Sequence, residues 1–183
     1  MRRKSFAQLV LSLAFLLTLA DRREVAAANM RSFIEAVRRK APVVYVASVR
    51  EVRLLSRTHF DIKERAVVDV LAVMRGRGTK PSQATIGYSS YDDKTSMLAG
   101  GPQYQLRPGV MVVVFANSFA TTIPPGYLLH GTRGELLKRI EALRDALGHM
   151  SPDQLKMHEI DDEDRYVQLE MYDKLASYLR ASK

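Results

Sequence analysis

The chain has 183 residues, of which 46% are hydrophobic and 26% are charged, and it contains no cysteine. A disulfide scaffold, a cysteine-ligated metal site and a cysteine nucleophile are therefore excluded, while the balance of apolar and charged residues fits a packed domain rather than a disordered chain. The formal net charge of +8 falls to +5 if the first 20 residues, which hold Arg2, Arg3 and Lys4 and no acid, are removed, so the basic bias is mild.

Residues 1–28 have the form of a signal peptide or an N-terminal anchor. An apolar run, Phe6–Ala20, follows the basic start and stops at Asp21. Its length suits the hydrophobic region of a secretory signal, whereas a spanning helix needs about 20 apolar residues. We expect cleavage after Ala20 or Ala28 and a secreted or periplasmic protein. The alternatives are an uncleaved anchor and a buried core helix. The uncleaved anchor is the one route by which we expect contact with a membrane.

Residues 29–134 are predicted to form a β domain that opens with a short amphipathic helix, between Ala28 and Lys40, ended by Pro42. The β-branched stretch Val43–Val52 predicts a first strand, buried at its start and exposed at its end. The second strand is predicted over His59–Met74, where seven of eight even positions are apolar and Glu64 is the exception. This pattern fits a period of two far better than the period of 3.6 of a helix.

Three further strands are predicted after the turn that follows Arg75. A short strand covers Ala84–Tyr88, and a long loop, Ser89–Gln105, separates it from the unbroken apolar run Val110–Ala116, which predicts a central strand buried on both faces. Tyr127–His130 predicts the fifth strand. A long first pair of strands, three shorter ones and helices at the end indicate a mainly β, α+β protein with a five-stranded OB-like Greek-key barrel.

Two stretches of the β domain carry a family resemblance. Val68–Leu71 leading to Arg75-Gly76, and Leu106–Gly109 leading to Val112–Phe115, resemble exported bacterial modules related to tissue inhibitors of metalloproteinases and to netrin-like domains. The resemblance covers about half of the chain and implies an OB-type barrel with helices packed outside. The animal inhibitors bind the protease zinc through an N-terminal cysteine, which this chain lacks, so the resemblance implies neither protease inhibition nor any functional residue.

Residues 135–183 are predicted to form a C-terminal helical extension. One helix follows Glu135 and ends near Gly148, and a last helical stretch opens at Ser151-Pro152. A stripe of apolar residues lines one side of that last stretch and must be covered, either by the chain itself or by a partner. The candidate binding residues are members of this stripe, namely Leu169, Tyr172, Leu175 and Leu179.

Few residues suggest chemistry. No histidine stands in a metal-binding or hydrolase motif, and no glycine-rich phosphate loop is present. His59 and Asp61 are predicted on one face of the second strand, where they could act together, although an exposed polar strand face explains them equally well. We assign no catalytic residue, no metal site and no cofactor.

Two other clusters have a structural and a functional interpretation. The acidic stretch between His158 and Asp164 could hold calcium, but it lacks the glycine and distal glutamate of an EF-hand loop, and acids are favoured in the first turn of a helix by its dipole. Tyr88, Tyr91 and Tyr104, with lysines nearby, resemble the stacking platform of a single-strand-binding barrel.

The sequence therefore predicts an exported, non-enzymatic binding module whose partner is a protein or a component of the cell envelope. We do not expect it to bind nucleic acid or a small-molecule cofactor. The alternatives are a single-stranded nucleic-acid-binding OB protein and a hydrolase that uses His59 and Asp61, or His130.

Overall fold

A computed structural model describes residues 34–59, 61–77, 79–91, 104–122 and 127–181. The predicted signal or anchor, residues 1–28, lies outside these ranges. Residues 34–40 are helical (α1), and Val37–Lys183 belong to one compact unit. In the described ranges no helix combines the length and the apolar character needed to cross a membrane.

The described strands form one sheet in the order β5-β3-β2-β1-β4-β6. All neighbouring strands are antiparallel except β3 and β5, which are parallel. The α+β class is therefore confirmed. The strands are β1 (Val43–Arg57), β2 (Ile62–Arg75), β3 (Gln83–Ser90), β4 (Met111–Ala116), β5 (Ala120–Thr122) and β6 (Leu128–Gly131).

The structure moves the bounds of several predicted strands and adds one strand. The third strand continues to Ser90, into the predicted loop Ser89–Gln105. The first strand extends beyond Val52 to Arg57, and the second begins at Ile62 rather than His59. A three-residue strand, β5, was not predicted, because a segment this short carries no detectable period. The prediction of a buried central strand is confirmed, since β4 lies between β1 and β6 and five of its six residues are buried.

Side chains from the two faces of the sheet form two separate apolar clusters. The sheet cluster takes residues from five strands and from the segment at Tyr104 and Leu106, and none of its buried members lies on a described helix. The helix cluster joins the other face to the helices. Along β1, Tyr45 and Ala47 belong to the sheet cluster whereas Val44 and Val46 belong to the helix cluster, as the alternation of side chains along a strand requires.

Three further helices follow the sheet, namely α2 (Arg133–Gly148), α3 (Pro152–Met157) and α4 (Asp162–Ala181). Reciprocal capping boxes start α2 at Thr132 and Glu135 and start α3 at Ser151 and Gln154. Such a cap stabilises a helix by about 1 kcal/mol. The last helical stretch predicted from Ser151 is interrupted between α3 and α4, where Glu159 has a φ of 52°.

Candidate functional site

The apolar stripe of α4 is covered by the chain itself. Tyr172, Leu175 and Leu179 are buried in the helix cluster, and Leu169 packs against it half-buried. The polar residues on the other side of α4 are exposed, namely Glu170, Asp173, Lys174 and Arg180. As placed, these candidate binding residues hold α4 onto α2 and the sheet, and contact with a partner through them would require α4 to leave its position. Their role in binding stays a prediction.

His59 and Asp61 do not share a strand face. Both lie in the turn between β1 and β2, because β2 begins only at Ile62. The Asp61 carboxylate forms an ion pair with Lys63 at 2.9 Å, and the backbone of Asp61 is hydrogen-bonded to Thr58. The turn therefore explains the placement of Asp61 by local structure.

The tyrosines considered as a stacking platform are mostly internal. Tyr88 and Tyr104 are buried in the sheet cluster, and Tyr91 is half-buried. A base can stack only on an exposed ring face. The nucleic-acid alternative therefore loses two of the three aromatic rings on which it depended.

The acidic stretch after His158 begins α4. Asp162, Glu163 and Asp164 occupy the first turn of the helix, where the helix dipole favours negative charge. The Asp161 carboxylate accepts a hydrogen bond from the Asp164 backbone at 2.7 Å. No group of three or more acidic or histidine side chains in the described part of the chain is arranged to hold a metal ion. Helix capping accounts for the placement of these acids.

A polar cluster, hereafter the tyrosine–histidine cluster, lies at the edge of the sheet cluster and consists of Glu64, Tyr88, Tyr104 and His130. The Tyr104 ring meets the rings of Tyr88 and His130 edge-on, with centroids 6.2 and 6.0 Å away. Its hydroxyl accepts a buried hydrogen bond from the backbone N–H of Leu128 at 3.2 Å. Tyr104 thus joins β3 to β6, although three strands separate them in the sheet order.

Glu64 is the polar exception in the apolar series of β2. It is half-buried and pairs in register with Tyr88. Burial raises the pKa of Tyr88, and the nearby Glu64 carboxylate raises it further, so the tyrosine stays protonated. Burial, together with Arg139, lowers the pKa of His130, which favours the neutral form of the ring. In this cluster Tyr104 makes the contacts that connect the strands, through its ring and its hydroxyl.

A second unusual region is the β1–β2 ribbon, defined as residues 50–57 of β1 with residues 62–67 of β2. Pairing of β1 with β4 ends at Ser48, and Val49 exchanges hydrogen bonds with Gly109 and Val110. From Arg50 onward no described strand pairs with β1 on the side away from β2.

Two neighbouring leucines of this ribbon are exposed. Leu54 and Leu55 have 59% and 50% of their surface in contact with solvent. Arg50 and Arg53 flank them and form surface ion pairs with Asp69 and Glu51. The ribbon therefore carries two exposed leucines next to charged residues, on a part of β1 that only β2 pairs with.

Sequence reasoning missed both regions, for different reasons. In the sequence, Glu64 is the single polar residue in the apolar series of β2. Such an exception is the signal of a polar group that faces the core. The exposure of Leu54 and Leu55 gave no such signal, because two bulges in β1, between Val49 and Glu51 and between Leu54 and Ser56, break the alternation by which faces are assigned.

No protein family, no curated relative and no solved structure matches this chain. The resemblance to netrin-like and inhibitor-related modules therefore stays a prediction.

Proposed function

We propose that the protein is an exported, non-enzymatic binding module built on an OB-like barrel, and that the β1–β2 ribbon is its contact surface for a protein or envelope component. The observation that carries the proposal is the exposed pair Leu54 and Leu55 on an uncovered strand. Large apolar side chains that adjoin on a surface are a common feature of interaction sites.

The barrel part of the proposal rests on strand directions. β5 runs parallel to β3, and β6 runs antiparallel to β4. The remaining pairings make β3 antiparallel to β4, so β5 and β6 run in the same direction, one after the other along the chain. In the barrel that we propose, β5 and β6 are two halves of one interrupted strand between β3 and β4.

The sheet cluster supports the same arrangement. Its buried members include Ile86 of β3 and Val114 of β4, which are separated by two strands in the sheet order, and no described helix contributes a buried residue to it. A flat sheet would need a second layer to bury that face, whereas a curved sheet buries it against itself. Tyr104 spans the same space from β3 to β6.

The nature of the contact follows from the ribbon's own chemistry. Two bulges and two arginines lie along the uncovered edge, and such features oppose the addition of another strand. The partner therefore meets side chains rather than the strand backbone. Leu54 and Leu55 supply apolar area, while the ion pairs of Arg50 and Arg53 form a polar rim.

The export part of the proposal rests on residues 1–28 and has its own test. Leu13→Arg places a charge in the middle of the apolar run, where insertion costs about 2.5–3.5 kcal/mol more. We expect the variant to stay in the cytoplasm, as measured by fractionation of the native host. Full-length, unprocessed wild-type protein in the soluble cytoplasm would contradict export.

Site-specific photo-crosslinking in the native host tests the contact surface. A photoreactive residue replaces Leu55, and the matched control carries it at Met157, which is 76% exposed on α3. We expect one discrete crosslinked product from position 55 that disappears when Leu54→Asp is added, and none from position 157. Equal products from both positions, or none at 55, would refute the ribbon as contact surface. An enzymatic activity that is lost in His130→Ala would favour the hydrolase alternative.

A further inference from the structure

The α3–α4 joint, defined as residues 158–161, bends the chain at a residue that is poorly suited to the bend. Glu159 has a φ of 52°, in the left-handed region. Its N–H donates to Lys156 O at 3.1 Å, and the N–H of Ile160 donates to Leu155 O at 2.9 Å. Helices that end with this pair of bonds normally carry glycine at the left-handed position, because other residues are strained there. The joint therefore holds backbone strain at Glu159.

Nothing in the sequence requires the helix to stop at this joint. From Asp153 to Lys183 the chain contains neither glycine nor proline, the two residues least compatible with a helix interior. If the joint became helical, Glu159 would lose its strain, and the N–H groups in the first turn of α4 would gain intrahelical partners. α3 and α4 would then form one straight helix about 45 Å long.

Two kinds of contact keep the joint bent. The first kind is local, since Leu155 and Ile160 are buried in the helix cluster and Arg39 Nη2 donates to His158 O at 3.1 Å. The second kind lies between α4 and α2, whose side chains meet in the helix cluster and in two ion pairs. A second copy of the chain offers an identical α2 surface. The contacts of the second kind can therefore be made again between two copies, whereas the local ones depend on the bend.

We propose that α4 exchanges between two copies of this chain. In the exchanged dimer, α3 and α4 of each copy form one straight helix, and α4 packs on α2 and the sheet of the other copy. The residues carried across are those of the apolar stripe, namely Leu169, Tyr172, Leu175 and Leu179. The exchange loses the local contacts of the joint and relieves its strain, and protein concentration sets the balance between monomer and dimer.

Carboxylates at the joint oppose the straight helix. Five of them are exposed, namely Glu159, Asp161, Asp162, Glu163 and Asp164. In the bent form most of them lie in the first turn of α4, where the helix dipole favours negative charge. In a straight helix they would lie in its middle, and those three or four positions apart would repel each other. Salt screens repulsion between exposed charges, so the exchange should be stronger at high ionic strength.

Crosslinking between two variants tests the exchange directly, because the chain contains no cysteine of its own. One full-length chain carries Glu141→Cys on α2 and the other carries Arg180→Cys on α4, at positions whose side chains form an ion pair. The folded chains are incubated together at high protein concentration, just below their melting temperature, and a short bis-maleimide is added. We expect a product that joins the two different chains, identified by mass spectrometry, and more of it in high salt.

The matched control replaces Arg180→Cys by Lys174→Cys. Lys174 is exposed and pairs with Glu170 along α4, on a side of the helix that α2 does not cover. Its mixture with Glu141→Cys should give little product.

Alanine and glycine at position 159 test the role of the joint. Glu159→Ala and Glu159→Gly remove the same charge, but glycine is favoured in the left-handed conformation and alanine in a helix. Each dimer contains two joints, so the dissociation constant of the glycine variant should be higher by about a hundredfold or more. Size-exclusion chromatography with light scattering measures both constants. The control pair, Glu170→Ala and Glu170→Gly, lies at an exposed position that is helical in both forms, and its members should dimerise equally.

Three results would overturn the exchange. The first is the absence of a product between Glu141→Cys and Arg180→Cys chains, and the second is equal dimerisation of Glu159→Ala and Glu159→Gly. The third is a dimer that is lost in Leu54→Asp and gives no crosslinked product, since it forms through the β1–β2 ribbon. The two surfaces share no residue, so failure of the exchange leaves the proposed contact surface standing.

Discussion

Removal of one hydroxyl group, by Tyr104→Phe, tests the connection between β3 and β6. The Tyr104 hydroxyl accepts the backbone N–H of Leu128 within the protein interior at 3.2 Å. Phenylalanine keeps the ring and its edge-on contacts with Tyr88 and His130. The substitution therefore removes the hydrogen bond and leaves the packing in place.

The expected size of the effect follows from the burial of Leu128, of which 3% is exposed. A buried donor that loses its partner costs about 1–3 kcal/mol. For a chain of this length, 1 kcal/mol corresponds to a change in melting temperature of about 2–4 °C. We expect Tyr104→Phe to melt roughly 2–12 °C lower than the wild type.

Differential scanning calorimetry measures this change, with Tyr166→Phe as the matched control. Tyr166 is 68% exposed on α4, so the loss of its hydroxyl should change the free energy of unfolding by less than about 0.5 kcal/mol. Amide hydrogen exchange should also become faster in β6 of Tyr104→Phe. Identical melting of the two variants, with unchanged exchange in β6, would refute the idea that Tyr104 holds β6 against β3.

Three other outcomes are expected. Leu175→Glu should unfold the protein or lower its melting temperature sharply, because it buries an unpaired charge, whereas Lys174→Glu, at an exposed position, should have little effect. A stable Leu175→Glu chain that loses self-association in light scattering would instead support a partner role for the apolar stripe of α4. Val70→Asp should unfold the domain because Val70 is buried, whereas Lys63→Asp should not because Lys63 is exposed, and circular dichroism measures both. If Val70→Asp melts as the wild type does, the assignment of the faces of β2 is wrong. Burial lowers the pKa of His130 in the folded state, so the unfolded chain binds more protons. The contribution of His130 to stability is therefore present above the unfolded pKa of about 6.5 and is lost as the pH falls below it. His130→Gln should flatten the dependence of the free energy of unfolding on pH in this acidic range.

Sequence periodicity predicted the elements in which one face is apolar. In β2 the series that includes Ala66 and Val68 faces the sheet cluster, and in α4 the series that includes Tyr172 and Leu175 faces the helix cluster. Both patterns repeat over many residues, so a single exception such as Glu64 does not hide them.

Features that depend on one residue or on distant contacts were not predictable in this way. The end of β1 was missed because each bulge inserts one residue and so reverses the faces that follow. The interruption between α3 and α4 occurs at Glu159, which is neither glycine nor proline. Near this interruption, Arg39 meets His158 across 119 positions of sequence, and no local pattern records such a pair.

The two central strands have a further consequence for the chain before it folds. Val43–Val49 of β1 and Met111–Ala116 of β4 carry no charge and no proline, and they are apolar on both faces. Segments of this composition are prone to cross-β aggregation when their edges are exposed. In the native sheet β1 and β4 pair with each other, and β2 and β6 occupy their outer edges. Aggregation is therefore expected from the unfolded chain rather than from the folded protein. The fraction of protein lost to aggregates on refolding should rise steeply with protein concentration, while the folded protein stays in solution.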